Sequence, residues 1–262
     1  MKRYLVIGNP IEHSMSPKLH NYWIKINNLD ATYDKQKVNN TELQGIIDKV
    51  KKDKIDGINV TVPFKQSIIP FLDELTPLAD QAKSVNIIFK KNNKVVGGNT
   101  DIEGFENGLK YINYNAKGKK VFILGAGGVV PSIIIALKKI GASSISLSNR
   151  TKQKAEELKK IYTNLDIVDW GEHVESDIII NATSLGLNPA DRINLEYEKL
   201  GTNKLFYDVI YNPRKTNFLS KGEELGNKIA NGKIMFIYQA QLAFNIWHNI
   251  LPKIDKNTLD LF

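Results

Sequence analysis

The sequence contains no cysteine, which excludes disulfides, thiolate nucleophiles and cysteine-held metals. Histidine is scarce as well. His13, His20, His173 and His248 are the four present, none paired at metal-ligand spacing, so no metal site is expected. Long apolar runs are missing: stretches such as residues 133–137 fall far short of the roughly 20 residues a membrane helix needs. Met1-Lys2-Arg3 leads straight into Tyr4-Leu5-Val6-Ile7-Gly8 with no small-residue cleavage site. No signal peptide is therefore expected, and the cytoplasm is the expected location. Acidic residues are in the minority, 28 against 36 basic ones, for a net charge of +8. That excess suits an anionic small molecule, and it would also suit nucleic acid. The lysines are scattered, however, as at Lys49, Lys51, Lys52 and Lys54 or Lys152, Lys154, Lys159 and Lys160, among Asp and Glu. No basic stripe carries interspersed aromatics, so these are solvated faces, and neither a nucleic-acid nor a membrane partner is expected.

What is present is ample. With 262 residues, 42% of them hydrophobic, the chain can build two domains with real cores. Strand patterns at 3–8, 31–38, 55–60, 85–90 and 94–98 alternate with helical ones at 16–28, 40–52 and, in two short pieces, 65–83. Ser16 before Pro17 predicts an N-cap, and Leu19, Tyr22, Trp23 and Ile26 its buried face. Asn92-Asn93 predicts a hairpin turn. From a helix at 102–111 onward the alternation becomes regular: strands near 121–124, 144–147, 165–168, 177–180, 205–209 and 228–230 separate helices at 129–140, 151–162 and 216–225. An amphipathic helix at 235–250 closes the chain. The fold class is α/β, as two α/β domains whose cleft is the expected ligand site.

The second half is organised around Lys120-Val121-Phe122-Ile123-Leu124-Gly125-Ala126-Gly127-Gly128. An apolar strand runs into a glycine turn and then a helix, the opening unit of a dinucleotide-binding fold. Glycine lets the backbone approach a pyrophosphate, and the helix N-terminus aims N–H groups at it. The third glycine of that pattern is replaced by Val130. Where an NAD site would present a carboxylate to the ribose, this chain has Asn149-Arg150-Thr151 with Lys154 one turn later. A guanidinium and an ammonium hold a 2′-phosphate that a carboxylate would repel, so NADP is the expected cofactor.

In the first half, polar residues sit at strand ends, where ligands bind in open α/β sheets. They are Ser14 and Ser16, then Asn59 and Thr61 alternating with valines, Lys65, Asn86, and Gly98-Asn99-Thr100-Asp101. Singly, Ser16 or Asp101 could be a helix cap, Ser14 a loop residue and Lys65 a solvated lysine. Converging on one sheet edge they form a candidate site.

The ordered set of motifs resembles the shikimate dehydrogenase family. The resemblance is carried by Ser14-x-Ser16-Pro17 with His20-Asn21, Asn59-x-Thr61-x-Pro63-x-Lys65, Asn86 and Gly98-Asn99-Thr100-Asp101-x-x-Gly104. It continues through Gly125-Ala126-Gly127-Gly128, Asn149-Arg150-Thr151, Asn181-Ala182-Thr183-Ser184, Asp208-x-x-Tyr211-x-Pro213-x-x-Thr216, and Gln239-Ala240 with Phe244 and Trp247. It implies reversible, NADP-dependent reduction of 3-dehydroshikimate to shikimate. An N-terminal substrate domain with a mainly parallel sheet (1–101 with 239–262) and a Rossmann-type NADP-binding domain (102–238) would flank the active site, in a monomer or homodimer. By the same resemblance Ser14, Ser16 and Tyr211 bind the substrate carboxylate; Asn59, Thr61, Asn86, Asp101 and Gln239 hold ring hydroxyls; Lys65 and Asp101 form the catalytic pair. Gly125, Ala126, Gly127, Gly128, Asn149, Arg150, Thr151, Lys154, Thr183, Ser184, Val209 and Gly232 contact the cofactor. The chemistry agrees, because an alkoxide forming from a ketone needs a proton and a nearby positive charge, and a lysine ammonium supplies both. Departures from the family pattern are Ile87 after Asn86, where a threonine hydroxyl is usual, Pro131-Ser132 in the helix after the glycine turn, and Gly232-Lys233-Ile234-Met235-Phe236. The rivals are a quinate/shikimate paralogue and a non-catalytic NADP-binding regulator. The second would be expected to have lost Lys65 or Asp101.

Overall fold

A computed structural model describes residues 1–262 as two compact units, Met1–Gly104 with Ile237–Phe262, and Phe105–Phe236.

The first unit is built on β1 (Lys2–Gly8), buried from Tyr4 onward. Helix α1 (Ser16–Ile26) follows. Its expected cap is not the observed one: Ser16 is already helical, Met15 holds the cap position without a side-chain bond, and Ser14 Oγ accepts the Ser16 N–H at 3.3 Å. The buried face is also rotated, to Leu19, His20, Trp23 and Ile24, leaving Ile26 50% exposed. Next come β2 (Ala31–Lys37), a 3-10 turn at Asn40–Glu42, α2 (Leu43–Lys51) and β3 (Gly57–Val60). Of the two helical pieces expected between Lys65 and Lys83, one is a single 3-10 turn, Ile69–Phe71, and the other is α3 (Pro77–Ala82). Between them lies a strand with no sequence signal, β4 (Glu74–Leu75). Two residues are too few to show an alternation, and pairing with a neighbour defines it. Strands β5 (Ile87–Lys91) and β6 (Lys94–Gly98) form the expected hairpin. Asn92 and Asn93 both have left-handed φ, 50° and 64°, as a type I′ turn requires. Helix α4 (Asp101–Tyr111) starts in this unit and ends in the other.

The sheet order is β2-β1-β3-β5-β6-β4. Three of its five strand pairings are parallel, and only those of β5 with β3 and β6 are antiparallel. Leu5, Ile7, Ile58 and Val60 pack with Ile46, Ile47 and Val50 of α2 in one core. The other face carries Tyr4, which packs on Trp247 with the rings tilted, and its register partner Tyr33, which stacks on His20.

The second unit runs β7 (Lys120–Leu124), α5 (Val130–Ile140), β8 (Ser144–Ser148), α6 (Lys152–Ile161), β9 (Leu165–Val168), β10 (Ile178–Asn181), a short α7 (Tyr197–Leu200), β11 (Leu205–Asp208), α8 (Asn217–Glu224) and β12 (Lys228–Ala230). The order β12-β11-β10-β7-β8-β9 is parallel throughout. Such an order is that of the dinucleotide-binding sheets, with the switch point between β7 and β10. Both faces are covered, which is why β7, β10 and β11 read as unbroken apolar runs. Helix α5 buries every residue from Val130 to Leu137, and Pro131 lies in its first turn, where its missing N–H costs little.

Helix α9 (Lys233–His248) starts in the second unit and ends in the first. It is not the amphipathic helix expected. Met235, Ile237, Ala240, Ala243, Phe244 and Trp247 are buried while Ile246 is 43% exposed, so apolar residues surround it. A last turn, α10 (Lys256–Leu259), is capped by Asp255. No helix is long and apolar enough to cross a membrane.

Candidate active site

From sequence, Lys65 reads as a strand-end lysine outside the core. The structure buries it to 7% exposure and sets its Nζ 2.5 Å from Asp101 Oδ2. Asp101 is not the helix cap it could have been. It is the first residue of α4, and the capping is done by Asn99, whose Oδ1 accepts the N–H groups of Asp101 and Ile102. Asn99 is itself anchored through Nδ2 to the Ser84 carbonyl. Asp101's side chain is thereby free for the lysine and for Asn86, whose Nδ2 donates to Asp101 Oδ1 at 2.9 Å. The same Nδ2 lies 2.9 Å from Thr100 Oγ1 and 3.3 Å from Gln239 Oε1, and Asn86 Oδ1 accepts the Thr100 N–H. Lys65, Asn86 and Asp101 thus form one buried cluster, with the half-buried Gln239 at its margin.

Asn59 joins it through Nδ2, which donates to the Asn86 carbonyl at 3.0 Å. Thr61 is half-buried at the strand end, its N–H bonded to the Ile7 carbonyl. Ser16 is buried and Ser14 half-buried at the start of α1. Ile87 is fully buried opposite Asn59 and Gly98, so the strand packs there without the hydroxyl. Tyr211 lies in the second unit, stacked on Phe236 with ring centroids 4.5 Å apart.

In the second unit Gly125 follows β7 with φ +113°, and a Cβ there would come within 2.8 Å of the Ala182 carbonyl oxygen. Glycine is therefore required by chain crossing at the switch point, whether or not a ligand binds. At Gly127 a Cβ would meet nothing nearer than the Ala182 oxygen at 3.9 Å, so open backbone faces free space. Ala126 and Gly128 flank it. Val130, in the third-glycine position, is fully buried and donates to the Gly127 carbonyl. Arg150, Thr151 and Lys154 are exposed, and neither Arg150 nor Lys154 is committed to an ion pair, whereas the adjacent Lys152 is held by Asp169 at 2.6 Å. Asn149 braces this turn through Nδ2 to the Thr151 carbonyl. This donor set fits a dinucleotide phosphate.

Thr183 turns inward, both its N–H and hydroxyl donating to Asn181 Oδ1, while Ser184 is exposed. Gly232 lies against Val209, whose carbonyl carbon would be 2.6 Å from an added Cβ. Sequence reasoning assigned no role to the pair beneath these loops. Asp208, fully buried, accepts from Thr216 Oγ1 at 2.6 Å, Asn181 Nδ2 at 3.1 Å and the Ile210 N–H at 2.9 Å. Burial pushes its carboxyl up to about 6, although those three donors favour the ionised form. The signal was available as buried polar residues at two strand ends. No group of His, Asp and Glu could hold a metal ion.

A mixed and a parallel α/β unit, the second with dinucleotide-binding strand order, define the class. Comparison with known proteins goes further. The model of the shikimate dehydrogenase substrate binding domain matches residues 6–88, and that of shikimate / quinate 5-dehydrogenase matches residues 108–217. The shikimate dehydrogenase (NADP(+)) of Pelagibacter ubique is 56% identical over 260 residues, 99% of this chain and 98% of its own. A crystal structure of a shikimate dehydrogenase in complex with NADP+ matches with TM-score 0.92 at 33% identity, covering 100% of this chain and 94% of that one. The shikimate 5-dehydrogenase of Thermus thermophilus, in complex with NADP(H) and shikimate, matches with TM-score 0.90 at 29% identity over 100% of both chains. The chain belongs to the shikimate dehydrogenase family.

Proposed function

We propose that this protein interconverts 3-dehydroshikimate and shikimate, reversibly and with NADP as the redox partner. The observation that carries the proposal is the buried Lys65–Asp101 ion pair, locked by Asn86 at the mouth of the first sheet. A buried pair of opposite charges is expensive to maintain and is weak support for stability. Reaction chemistry gives it a purpose. When bound, NADPH supplies the hydride that reduces the substrate ketone.

The chain's own residues handle the oxygen. Lys65 holds a proton at Nζ beside the carbonyl and delivers it as negative charge develops there; in the oxidative direction it takes the proton back. Asp101 orients the ammonium, and Asn86 orients Asp101, so the geometry is set before substrate arrives. Asn59, Thr61, Asn86, Asp101 and Gln239 present donors and acceptors to ring hydroxyls. Ser14, Ser16 and Tyr211 receive the carboxylate. Gly125, Ala126, Gly127 and Gly128 give backbone to the pyrophosphate, Asn149, Arg150, Thr151 and Lys154 hold the 2′-phosphate, and Thr183, Ser184, Val209 and Gly232 line the nicotinamide end.

The test is turnover of purified protein, followed by nicotinamide absorbance, with shikimate or quinate as substrate and NADP+ or NAD+ as acceptor. Shikimate with NADP+ is expected to give the highest kcat/KM of the four combinations. No turnover with shikimate and either cofactor would reject the proposal.

A further inference from the structure

His20 and Asn21 stand in the family-like motif but have no part in the chemistry above. Both converge on Tyr33. Asn21 grips its backbone from two sides, Nδ2 donating to the Tyr33 carbonyl at 2.7 Å and Oδ1 accepting the Tyr33 N–H at 3.0 Å. His20 lies flat on the Tyr33 ring, centroids 4.1 Å apart and planes within 4°. Trp23, Phe244 and Trp247 surround the imidazole at 5.6 to 6.0 Å. Burial pushes the imidazole down to about 3, and neither ring nitrogen has a hydrogen-bond partner. His20 is therefore a neutral aromatic slab, used for its shape.

The tyrosine so held is 1% exposed, and its hydroxyl donates to Asn59 Oδ1 at 2.6 Å. On the other side of that amide, Nδ2 donates to the Asn86 carbonyl. An amide flipped about its Cβ–Cγ axis would set its oxygen against the Asn86 carbonyl, two acceptors in contact, whereas the Tyr33 hydroxyl, which can donate or accept, holds the amide in place on its other side. Only one N–H and one lone pair of Asn59 remain uncommitted by these two bonds.

We propose that Tyr33 is a positioning residue, clamped by Asn21 and His20, whose hydroxyl holds in place the Asn59 amide that the Asn86 carbonyl orients, and so places the donor and acceptor it offers to a ring hydroxyl of the substrate. This rests on the proposed function, in which Asn59 touches substrate; Tyr33 acts through it.

Tyr33→Phe keeps the ring and its stacking and deletes the hydroxyl alone. The KM for shikimate is expected to rise about three- to tenfold, the worth of one hydrogen bond between neutral groups. The KM for NADP+ is expected not to move and kcat to change less than KM. In an Asn59→Ala background the same substitution should cost nothing further, because the group it holds is gone. Equal losses in both backgrounds, or a matching rise in the KM for NADP+, would overturn the inference while leaving the function standing. A Tyr33→Phe protein that does not fold would overturn it too, since the hydroxyl would then serve the fold rather than Asn59. A wild-type protein inert toward shikimate would overturn both.

Discussion

The two units solve opposite problems, one with a mixed sheet and the other with a parallel one. In the first, the candidate residues are bonded to one another: Lys65 to Asp101, Asp101 to Asn86, Asn86 to Gln239 and Asn59. In the second, those at the strand ends are left open: Arg150, Thr151, Lys154 and Ser184 are exposed, and Gly127 faces free space. Chemistry at a reacting centre needs groups aimed beforehand, because reorganisation during the reaction raises the barrier. Gripping a large anion needs unpaired positive charge and free backbone, because any internal partner would compete with the ligand. One unit is tightened in advance and the other is held ready.

The largest effect that could break this contrast is at Lys65. If the ion pair is an aimed catalytic group, Lys65→Ala should lower kcat about 10²- to 10⁴-fold at saturating shikimate. It should also cost stability, because the Asp101 carboxylate is left buried without its counter-ion. A variant keeping more than about half of wild-type kcat, against that expected range, would mean that the cluster merely binds. Next is Arg150. As an unpaired, exposed guanidinium it contributes little to folding, so Arg150→Ala should melt like wild type. It should nonetheless raise the KM for NADP+ about ten- to a hundredfold, the worth of a charge-assisted contact. The KM for NAD+ should stay put; equal losses with both cofactors would remove Arg150 from the 2′-phosphate.

The smallest effect concerns pH, where the units again differ in sign. Burial pushes His20 down to about 3 and His248 down to about 4. The unfolded chain therefore takes up protons first, and the first unit loses stability as pH falls below about 6.5. Asp208 moves the other way, up to about 6. The folded chain binds its proton more tightly, so this contribution is complete below about pH 4 and lost as pH rises through 6. Two tyrosines sense the Asp208 charge, Tyr197 and Tyr207, each pushed up mainly by burial and then by that carboxylate. In Asp208→Asn the titration disappears. Its stability relative to wild type should rise by about 2 kcal/mol between pH 4 and pH 7 in chemical denaturation. A difference that stays flat over that interval would mean that Asp208 does not titrate there.

How far the sequence spoke depended on how local each feature was. The parallel unit was legible almost strand by strand, since short unbroken apolar runs and glycine turns encode it. The Asn92-Asn93 hairpin was legible from its turn chemistry. Strand β4 was not, because its two residues acquire strand character only by pairing with Val96 and Gly97. The cap of α1 went astray because Ser16-Pro17 is a good local signal that the helical backbone already adopted at Met15 overrides. The residues of the candidate cluster were visible as polar intruders at strand ends. Of their mutual bonds only the Lys65–Asp101 pair was expected, and that through the family resemblance; Asn86 and Gln239 are 153 positions apart. What was not legible at Lys65 is its burial, because the helix that supplies its counter-ion begins 36 positions on.

The order in which the chain is made adds a consequence to the path of α4 and α9. The second unit is one continuous segment, whereas the first is interrupted and closes only with Ile237–Phe262. During synthesis the second sheet can form as soon as Phe236 has emerged. The first sheet meanwhile waits with Tyr4, Tyr33 and His20 lacking Phe244 and Trp247, and with Asn86 lacking Gln239. An aromatic face is exposed for as long as the last helix takes to arrive. The nascent chain is thus most prone to sticking before that helix emerges, and a stop codon ahead of it would leave a folded second unit attached to an unfinished first one.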